Sequence, residues 1–331
     1  MKIMTVTGLH LLCKCAMIGA LLAGVAGMAG ALSKTIIESV KAMQRELGLT
    51  IAPPFGELFR RPAPTRQIPD TYVGGGPGIS PDGIALAWWW EPYPYRGEKI
   101  PFLTVKSLKD GTQPVWVEGR VAAGRVGLSS NAQIIVAISR PLDPLQTRHR
   151  ELLAIDRGSG IVVHDLTQFV TQSKVWNEGW DATRWREWFS NDVEVISVSG
   201  PGTLAALGTR EQMQVLEIPS GKTVYAGHGR FPRLSPDGKR LAFVDQDKLW
   251  LHSFVDGSTL QLLKGKRVKG VGGWSPDGRF LLAGAWTTLL AFEKRQIIVD
   301  TTTGEYAVIG KLGDGDYGNQ FAWVSVKLLA R

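Results

Sequence analysis

The sequence Ser275-Pro276-Asp277-Gly278 is followed directly by the apolar stretch RFLLAGAW, residues 279–286. In a four-residue turn, Pro fixes φ at the first central position, Asp bonds to the backbone that follows it, and Gly accepts a positive φ. The stretch after the turn has the length and composition of a β-strand that is buried on both faces. The segment therefore predicts a tight turn that leads into a fully covered strand.

The same turn occurs twice more, at Ser80-Pro81-Asp82-Gly83 and at Ser235-Pro236-Asp237-Gly238, and the last two copies lie 40 residues apart. Weaker copies begin at Ser129 and Ser197. After each copy comes a strand that ends in a glycine turn and is followed by another strand; the turn glycines are Gly111, Gly160, Gly221, Gly257 and Gly304. Two alternating patterns with a period near 40 residues are typical of the four-stranded blades of a β-propeller.

The strand after the first turn, IALAWWW from Ile84, is apolar in both of its alternating sets of side chains. A strand in a two-layer sandwich normally keeps one polar face, whereas a propeller strand is covered by blades on both sides. We therefore predict an all-β propeller, with a last unit that opens in QFAWVSVKLLAR, residues 320–331. Since a ring has no free edges only when it closes, segment 49–75 is expected to supply the missing strands. Six blades with a composite last one are predicted; five and seven are the alternatives.

These turns and strands resemble the Ser-Pro-Asp-Gly repeats of TolB-like propellers and of the N-terminal propellers of prolyl-oligopeptidase-type peptidases. The resemblance covers roughly residues 76–330 and implies the fold, because such blades serve unrelated functions. TolB carries a sizeable α/β domain before its propeller, and the stretch 33–72 is too short for one. The peptidases need a Gly-x-Ser-x-Gly nucleophile turn, which this sequence lacks.

The N-terminus has the pattern of an export segment. Lys2 and Lys14 precede an apolar run, residues 15–32, and Ala29-Gly30-Ala31 supplies a small-x-small cleavage pattern. Residues 1–31 are therefore predicted to be a signal peptide, with an uncleaved membrane anchor as the alternative. The expected location is the periplasm, either free or anchored to the inner membrane, where the N-terminal segment would contact the bilayer.

Residues 32–75 are predicted to form a short helix and a connector rich in Pro and Gly, and residues 76–331 the propeller. The helix is expected over 33–48 with Gly48 as its stop, and its apolar face is expected to pack on its own domain. The residues of that face are Ile36, Ile37, Val40, Met43 and Leu47.

The composition restricts the chemistry that the chain can perform. Its two cysteines, Cys13 and Cys15, lie within the export segment, so the predicted mature chain has no disulfide or cysteine nucleophile. The histidines have no metal-ligand spacing, and no phosphate-binding or calcium-binding loop occurs. No catalytic, cofactor-binding or metal residue is assigned, and no cofactor is expected. A propeller enzyme of lactonase or hydrolase type, with scattered carboxylates in the central channel, remains the alternative.

Two departures from the repeat suggest a surface that binds partners. The insertion at about 171–192 is rich in tryptophan, and the loop at 139–151 is basic. Trp and Arg are enriched at interface hot spots, and loops carry most binding surfaces. The alternatives are that the insertion caps its own propeller and that the loop is merely solvated. The candidate partner-binding residues are Trp176, Trp180, Trp185, Trp188, Arg148, His149 and Arg150.

The chain is therefore interpreted as an exported, non-enzymatic propeller that acts as an interaction or scaffold subunit of a cell-envelope complex. The formal net charge of +8 favours an acidic partner protein or an anionic membrane surface, with a merely solvated surface as the alternative. A nucleic-acid partner is not expected because the protein is predicted to leave the cytoplasm.

Overall fold

In the computed structural model, eight segments of the chain are described: 33–51, 78–88, 102–141, 150–171, 193–209, 211–286, 294–312 and 322–329. The predicted export segment and most of the connector lie outside them, so the domain bounds stay predictions. Among these segments, no helix combines the length and the apolar character that a membrane span requires.

Five four-stranded antiparallel sheets follow one another along the chain, each with its strands in sequence order. Blade 1 contains β2–β5: Gly78–Ile79, Ala85–Trp88, Leu103–Ser107 and Gly111–Val115. Blade 2 contains β6–β9: Arg120–Leu128, Ile134–Pro141, Glu151–Asp156 and Val162–Asp165. Blade 3 contains β10–β13: Val195–Val198, Leu204–Gly208, Gln212–Glu217 and Thr223–His228.

Blade 4 contains β14–β17: Arg230–Leu234, Arg240–Asp245, Lys248–Ser253 and Thr259–Leu262. Blade 5 contains β18–β21: Arg267–Trp274, Phe280–Trp286, Lys294–Asp300 and Tyr306–Lys311. The sixth sheet is a two-stranded closing pair, in which β1 (Leu49–Ile51) lies antiparallel to β22 (Trp323–Ser325). Helix α1 covers residues 33–47, α2 is Thr167–Thr171 and α3 is Val326–Leu329. A single 3-10 turn, Ser130–Ala132, precedes β7.

The all-β propeller prediction is confirmed, but the predicted count of six blades is wrong. The described residues form five four-stranded blades, and the composite closure has two strands. The reason lies in the residues after Ser325: no Pro-Asp-Gly follows, and the chain enters α3 instead of a turn and a strand. β1 takes the place of the second strand, and α1 packs where outer strands would lie.

The serine that begins each turn forms the local structure. Its Oγ accepts a hydrogen bond from the backbone N–H five residues later, which is the start of the second strand; in the blade 4 turn this bond joins Arg240 N to Ser235 Oγ at 2.9 Å. The weaker copies make the same bond, from Ile134 N to Ser129 Oγ at 2.8 Å and from Leu204 N to Ser199 Oγ at 3.0 Å. The serine bond, more than the Pro-Asp-Gly that follows it, is thus the common element of the five turns.

The core of the protein is a ring of apolar clusters, each lying between two neighbouring sheets. Blades 1 to 5 are joined in order in this way, and Leu86 of blade 1 packs against Val324 of the closing pair. Between blade 5 and the closing pair, Trp323 packs with Phe280 and with the apolar face of α1. That face buries Ile36, Val40 and Met43, as predicted, whereas Leu47 is 46% exposed. The helix therefore belongs to the ring.

Candidate functional site

The two ends of the blades differ in how regular their connections are. At one end, here the turn end, lie the connections from first to second strand and from third to fourth. Nine of these ten connections contain five residues, as 235–239 do, and the tenth, 108–110, contains three. At the crossover end, the connections between described strands range from one residue, Gly229, to the 29 residues of 166–194. The variation in connection length is thus concentrated at the crossover end.

Hydrogen bonds link the turns of neighbouring sheets around the turn end. Between blades 1 and 2, Asn131 N donates to Asp82 Oδ2 at 2.8 Å. Between blades 2 and 3, Ser130 N donates to Gly200 O at 3.0 Å, and between blades 3 and 4, Gly200 N donates to Pro236 O at 2.8 Å. Arg240 then reaches Gly278 O of blade 5 at 2.6 Å, and Ser325 N reaches Gly83 O at 2.8 Å. These groups use their bonding capacity within the protein.

An open cleft of about 780 Å³ lies at the crossover end between blades 3 and 4. Charged groups of both signs line it: Arg230 is positive, and Glu211, Asp245 and Asp247 are negative. The carboxylate of Asp247 binds three cations: Arg230 at 3.1 Å, and Arg267 and Lys269 of blade 5, each at 2.8 Å. Asp247 and its three cationic partners together carry a net positive charge, and their ion pairs connect blade 4 to blade 5.

Asp247 is expected to make stability depend on pH. Burial alone would raise the pKa of this carboxyl, but hydrogen bonds from Lys269 and Arg267 outweigh burial and lower the pKa. A lowered folded-state pKa stabilises the protein above the unfolded-state pKa, about 3.9, and this contribution is lost as the pH falls through the folded-state value. Asp247→Asn should therefore cost about 0.5–1 kcal/mol at neutral pH and progressively less as the pH falls below the unfolded-state pKa. Urea unfolding over this pH range measures the cost; a cost that does not change with pH would contradict the expectation.

The first strands of all five blades and the closing pair surround a central channel with a cavity of about 120 Å³. Its charged lining residues, among those that the structure describes, are Arg125 on β6, Glu194 just before β10, and Arg233 on β14. Arg125 lies within the bulge that shifts the register of β6 between Ala122 and Val126. The channel therefore contains two guanidinium groups and one carboxylate.

Both channel arginines are in an unfavourable electrostatic position. Burial and the positive charge of Arg125 lower the pKa of Arg233 to about 10. Burial also lowers the pKa of Arg125, and the carboxylate of Glu194 opposes that shift. Arg233 is held in place by its backbone, because its carbonyl accepts the Trp274 indole N–H at 3.0 Å. Its side-chain Nε also lies 3.4 Å from Val271 O.

The sequence prediction did not include these channel residues, although a signal for Arg233 is present in the repeats. Aligned on the turn serine, the residue two positions earlier is small in four of the six sheets and is Arg233 in blade 4. The corresponding residues are Gly78, Gly127, Ser197, Gly273 and, in the closing pair, Trp323.

Most of the predicted partner-binding residues lie outside the described segments. This applies to the four tryptophans and to Arg148 and His149. Arg150 is described, is half-buried, and directly precedes β8. The structure does show where the two predicted segments leave the propeller: connections 142–150 and 166–194 both start and finish at the crossover end. No group of three His, Cys, Asp or Glu side chains arranged to hold a metal ion occurs within the described residues.

No protein-family model and no curated protein matches the sequence. Similar solved structures include TolB from Acinetobacter baumannii, with 14% identity, a TM-score of 0.44, and coverage of 75% of this chain and 56% of that one. The putative TolB from Agrobacterium tumefaciens has 12% identity and a TM-score of 0.46, with coverage of 82% and 90%. Oligogalacturonate lyase from Vibrio parahaemolyticus has 12% identity and a TM-score of 0.45, with coverage of 72% and 67%. Since these values are low, the propeller assignment rests on the strand pairing of this chain.

Proposed function

We propose that this chain is a non-enzymatic binding module of the cell envelope, a rigid propeller that docks a partner protein at its crossover end. The observation that carries the proposal is the difference between the two ends. Turn-end connections have three or five residues, whereas crossover-end connections extend to 29 residues. Loops longer than about 12–15 residues in a compact domain are usually functional, and binding residues concentrate on loops held by a rigid scaffold.

The residue types at the crossover end support a protein partner. Connection 166–194 contains four tryptophans, and connection 142–150 contains Arg148, His149 and Arg150. These two connections are consecutive at the crossover end of blade 2, and the open cleft lies at the same end, between blades 3 and 4. Trp and Arg contribute most to interface hot spots, and the basic loop favours an acidic partner surface.

The proposed location is the periplasmic side of the envelope. Its support is the sequence of the N-terminus, where Lys2 and Lys14 precede an apolar run that contains Ala29-Gly30-Ala31 near its end. This is the pattern of a secretory signal.

The test is a double substitution in the tryptophan-rich connection, Trp185→Ala with Trp188→Ala, in the full chain with an affinity tag. Partners captured from cross-linked envelope preparations should fall about 30-fold, which corresponds to about 2 kcal/mol at an interface hot spot. If the connection docks a partner, the thermal midpoint should change little, because a docking loop contributes little to the stability of the blades. Val255→Ala is the matched control, since Val255 is 75% exposed in a turn-end connection; its capture should equal that of the wild type.

If the connection instead caps its own propeller, the double variant should lose several degrees of thermal midpoint through lost aromatic burial. Capture would then decline only in proportion to the folded fraction. Unchanged capture with a lowered midpoint would rule out docking through these tryptophans.

A further inference from the structure

The first residue of α1, Ser33, follows the apolar run of the predicted export segment, residues 15–32, directly in the sequence. Ser33 lines a pocket of about 370 Å³ on the side of the propeller where blade 4 meets blade 5. The same pocket is lined by Lys264 and Lys266, in the connection between these blades, and by Val308 on β21, which is 40% exposed. When the apolar run lies in a bilayer, the membrane surface is therefore next to this side of the ring.

Positive charge extends from this pocket to the crossover end of blades 4 and 5. The segment KGKRVK, residues 264–269, contains four cations and no carboxylate. Arg267 and Lys269 of this segment share the carboxylate of Asp247 with Arg230, as described above. Arg267 is the most exposed of the three cations, with 68% of its side chain open to solvent. Arg230, Lys264, Arg267 and Lys269 are called the basic patch below.

The ion pairs of the basic patch leave positive charge at the surface. Asp247 is the one carboxylate with which Arg230, Arg267 and Lys269 pair among the described residues, and one carboxylate cannot neutralise three cations. Lys264 is exposed and forms no ion pair within the same part of the chain. Three further carboxylates line the two neighbouring cavities, but in the described segments they form no ion pair with the patch; they are Glu211, Asp245 and Glu305.

We propose that the basic patch contacts the anionic headgroups of the membrane that receives the N-terminal segment, so that the propeller rests on the bilayer by its blade 4 and blade 5 side. Guanidinium and ammonium groups form charge-assisted hydrogen bonds with lipid phosphates. Basic side chains next to a membrane segment are attracted to anionic lipids while they stay within a Debye length, about 8–10 Å, of the surface. An acidic protein partner would not explain why the apolar run ends beside the patch.

The inference rests on the proposed envelope location, but it is independent of docking at the tryptophan-rich connection. That connection belongs to blade 2, which is three sheets away from blade 5 in a ring of six. Contact of blades 4 and 5 with a bilayer therefore leaves blade 2 accessible to a partner. The experiment below uses purified protein, so its failure would contradict membrane contact without changing the capture result, and cell fractionation tests the location separately.

The experiment measures how fast individual lysines are acetylated by a water-soluble reagent in the full chain, inserted into lipid nanodiscs through its apolar run. One set of discs contains phosphatidylcholine alone, and the other contains equal parts of phosphatidylcholine and phosphatidylglycerol. Lys264 should react at least about fivefold more slowly in the anionic discs, since each basic side chain near such a surface gains on the order of 1 kcal/mol. Lys222 and Lys239, exposed at the turn end, should react equally in both. Equal rates for Lys264 in both discs, or equal slowing of all lysines, would overturn the proposal.

Two double variants assign the protection to the patch. Lys264→Gln with Arg267→Gln should remove most of the protection of Lys248, an exposed lysine at the start of β16. Lys222→Gln with Lys239→Gln changes the net charge equally and should keep it. Salt at about 1 M, where the Debye length is about 3 Å, should weaken the protection of the wild type.

Two results would place the contact elsewhere. Protection of Lys248 that persists in the Lys264 and Arg267 variant would show that the patch does not carry the contact. Protection of Lys264 by soluble polyglutamate, in discs where phosphatidylglycerol gives none, would assign the patch to an acidic protein and overturn the membrane contact.

Discussion

Replacing Trp323 with alanine should lower the free energy of unfolding by about 3–5 kcal/mol, the usual cost of removing a large aromatic side chain from a core. Trp323 is 2% exposed and packs with Phe280 of blade 5 and with Val40 and Met43 of α1. The side chain thus joins the closing pair, the last blade and the N-terminal helix in one cluster. Urea unfolding, followed by circular dichroism, measures the loss.

Trp116→Ala is the matched control, because Trp116 is 47% exposed at the end of blade 1. Its effect should stay below about 1 kcal/mol, as for most surface substitutions. Similar effects for the two tryptophans would mean that closure through Trp323 contributes little to the stability of the ring.

Gly83→Ala should destabilise the protein by about 2–4 kcal/mol, through two physical causes that add. Gly83 has φ +71°, a conformation that costs a residue with a Cβ about 1–2 kcal/mol. A Cβ at this position would also lie 2.9 Å from Trp323 O and 3.2 Å from Leu49 Cδ2, so the closing pair must shift. Chemical denaturation of the variant gives the total.

Gly257→Ala separates the two causes. Gly257 has nearly the same φ, +72°, and a Cβ there would have no atom within 4 Å. Its cost should therefore be that of the backbone conformation alone, about 1–2 kcal/mol. Equal costs at the two glycines would show that the closing pair does not press against blade 1 as closely as the geometry indicates.

The blades could be predicted because their turns depend on local chemistry. Ser235 and Ser275 bond to backbone groups within their own turns, so the sequence of a few residues is enough to specify the structure. The degenerate turns at Ser129 and Ser199 keep the same serine bond although Pro-Asp-Gly is absent. The spacing of the turns gave the period of the repeat. The apolar character of both faces of the strands that follow then indicated a propeller.

The closure could be predicted only in part, because it depends on contacts between distant residues. Segment 49–75 was expected to complete the last unit, and Leu49–Ile51 does pair with Trp323–Ser325. A last blade was expected to open in residues 320–331, yet the residues after Ser325 form α3. The apolar period of α1 indicated a packed helix. It did not indicate that α1 would pack on blade 5.

The channel residues were missed for a related reason. Arg125 and Arg233 are 108 positions apart in the sequence, and only the ring brings both into one cavity. The tryptophan-rich insertion was noticeable because its residues are adjacent in the chain, so composition alone reveals it. Its role, like that of Arg148 and His149, stays a prediction.

Closure by β1 and β22 also determines the order in which the molecule can be completed during synthesis. The apolar face of α1 is made early, but its covering residues in blade 5 and at Trp323 are made after nearly the whole chain. Nascent chains that have not reached Ser325 therefore expose Ile36, Val40 and Met43 together with the uncovered side of blade 1. Exposed apolar faces and unpaired strand edges promote aggregation of incomplete chains. The C-terminal strand must therefore be available before the first residues of the fold can pack.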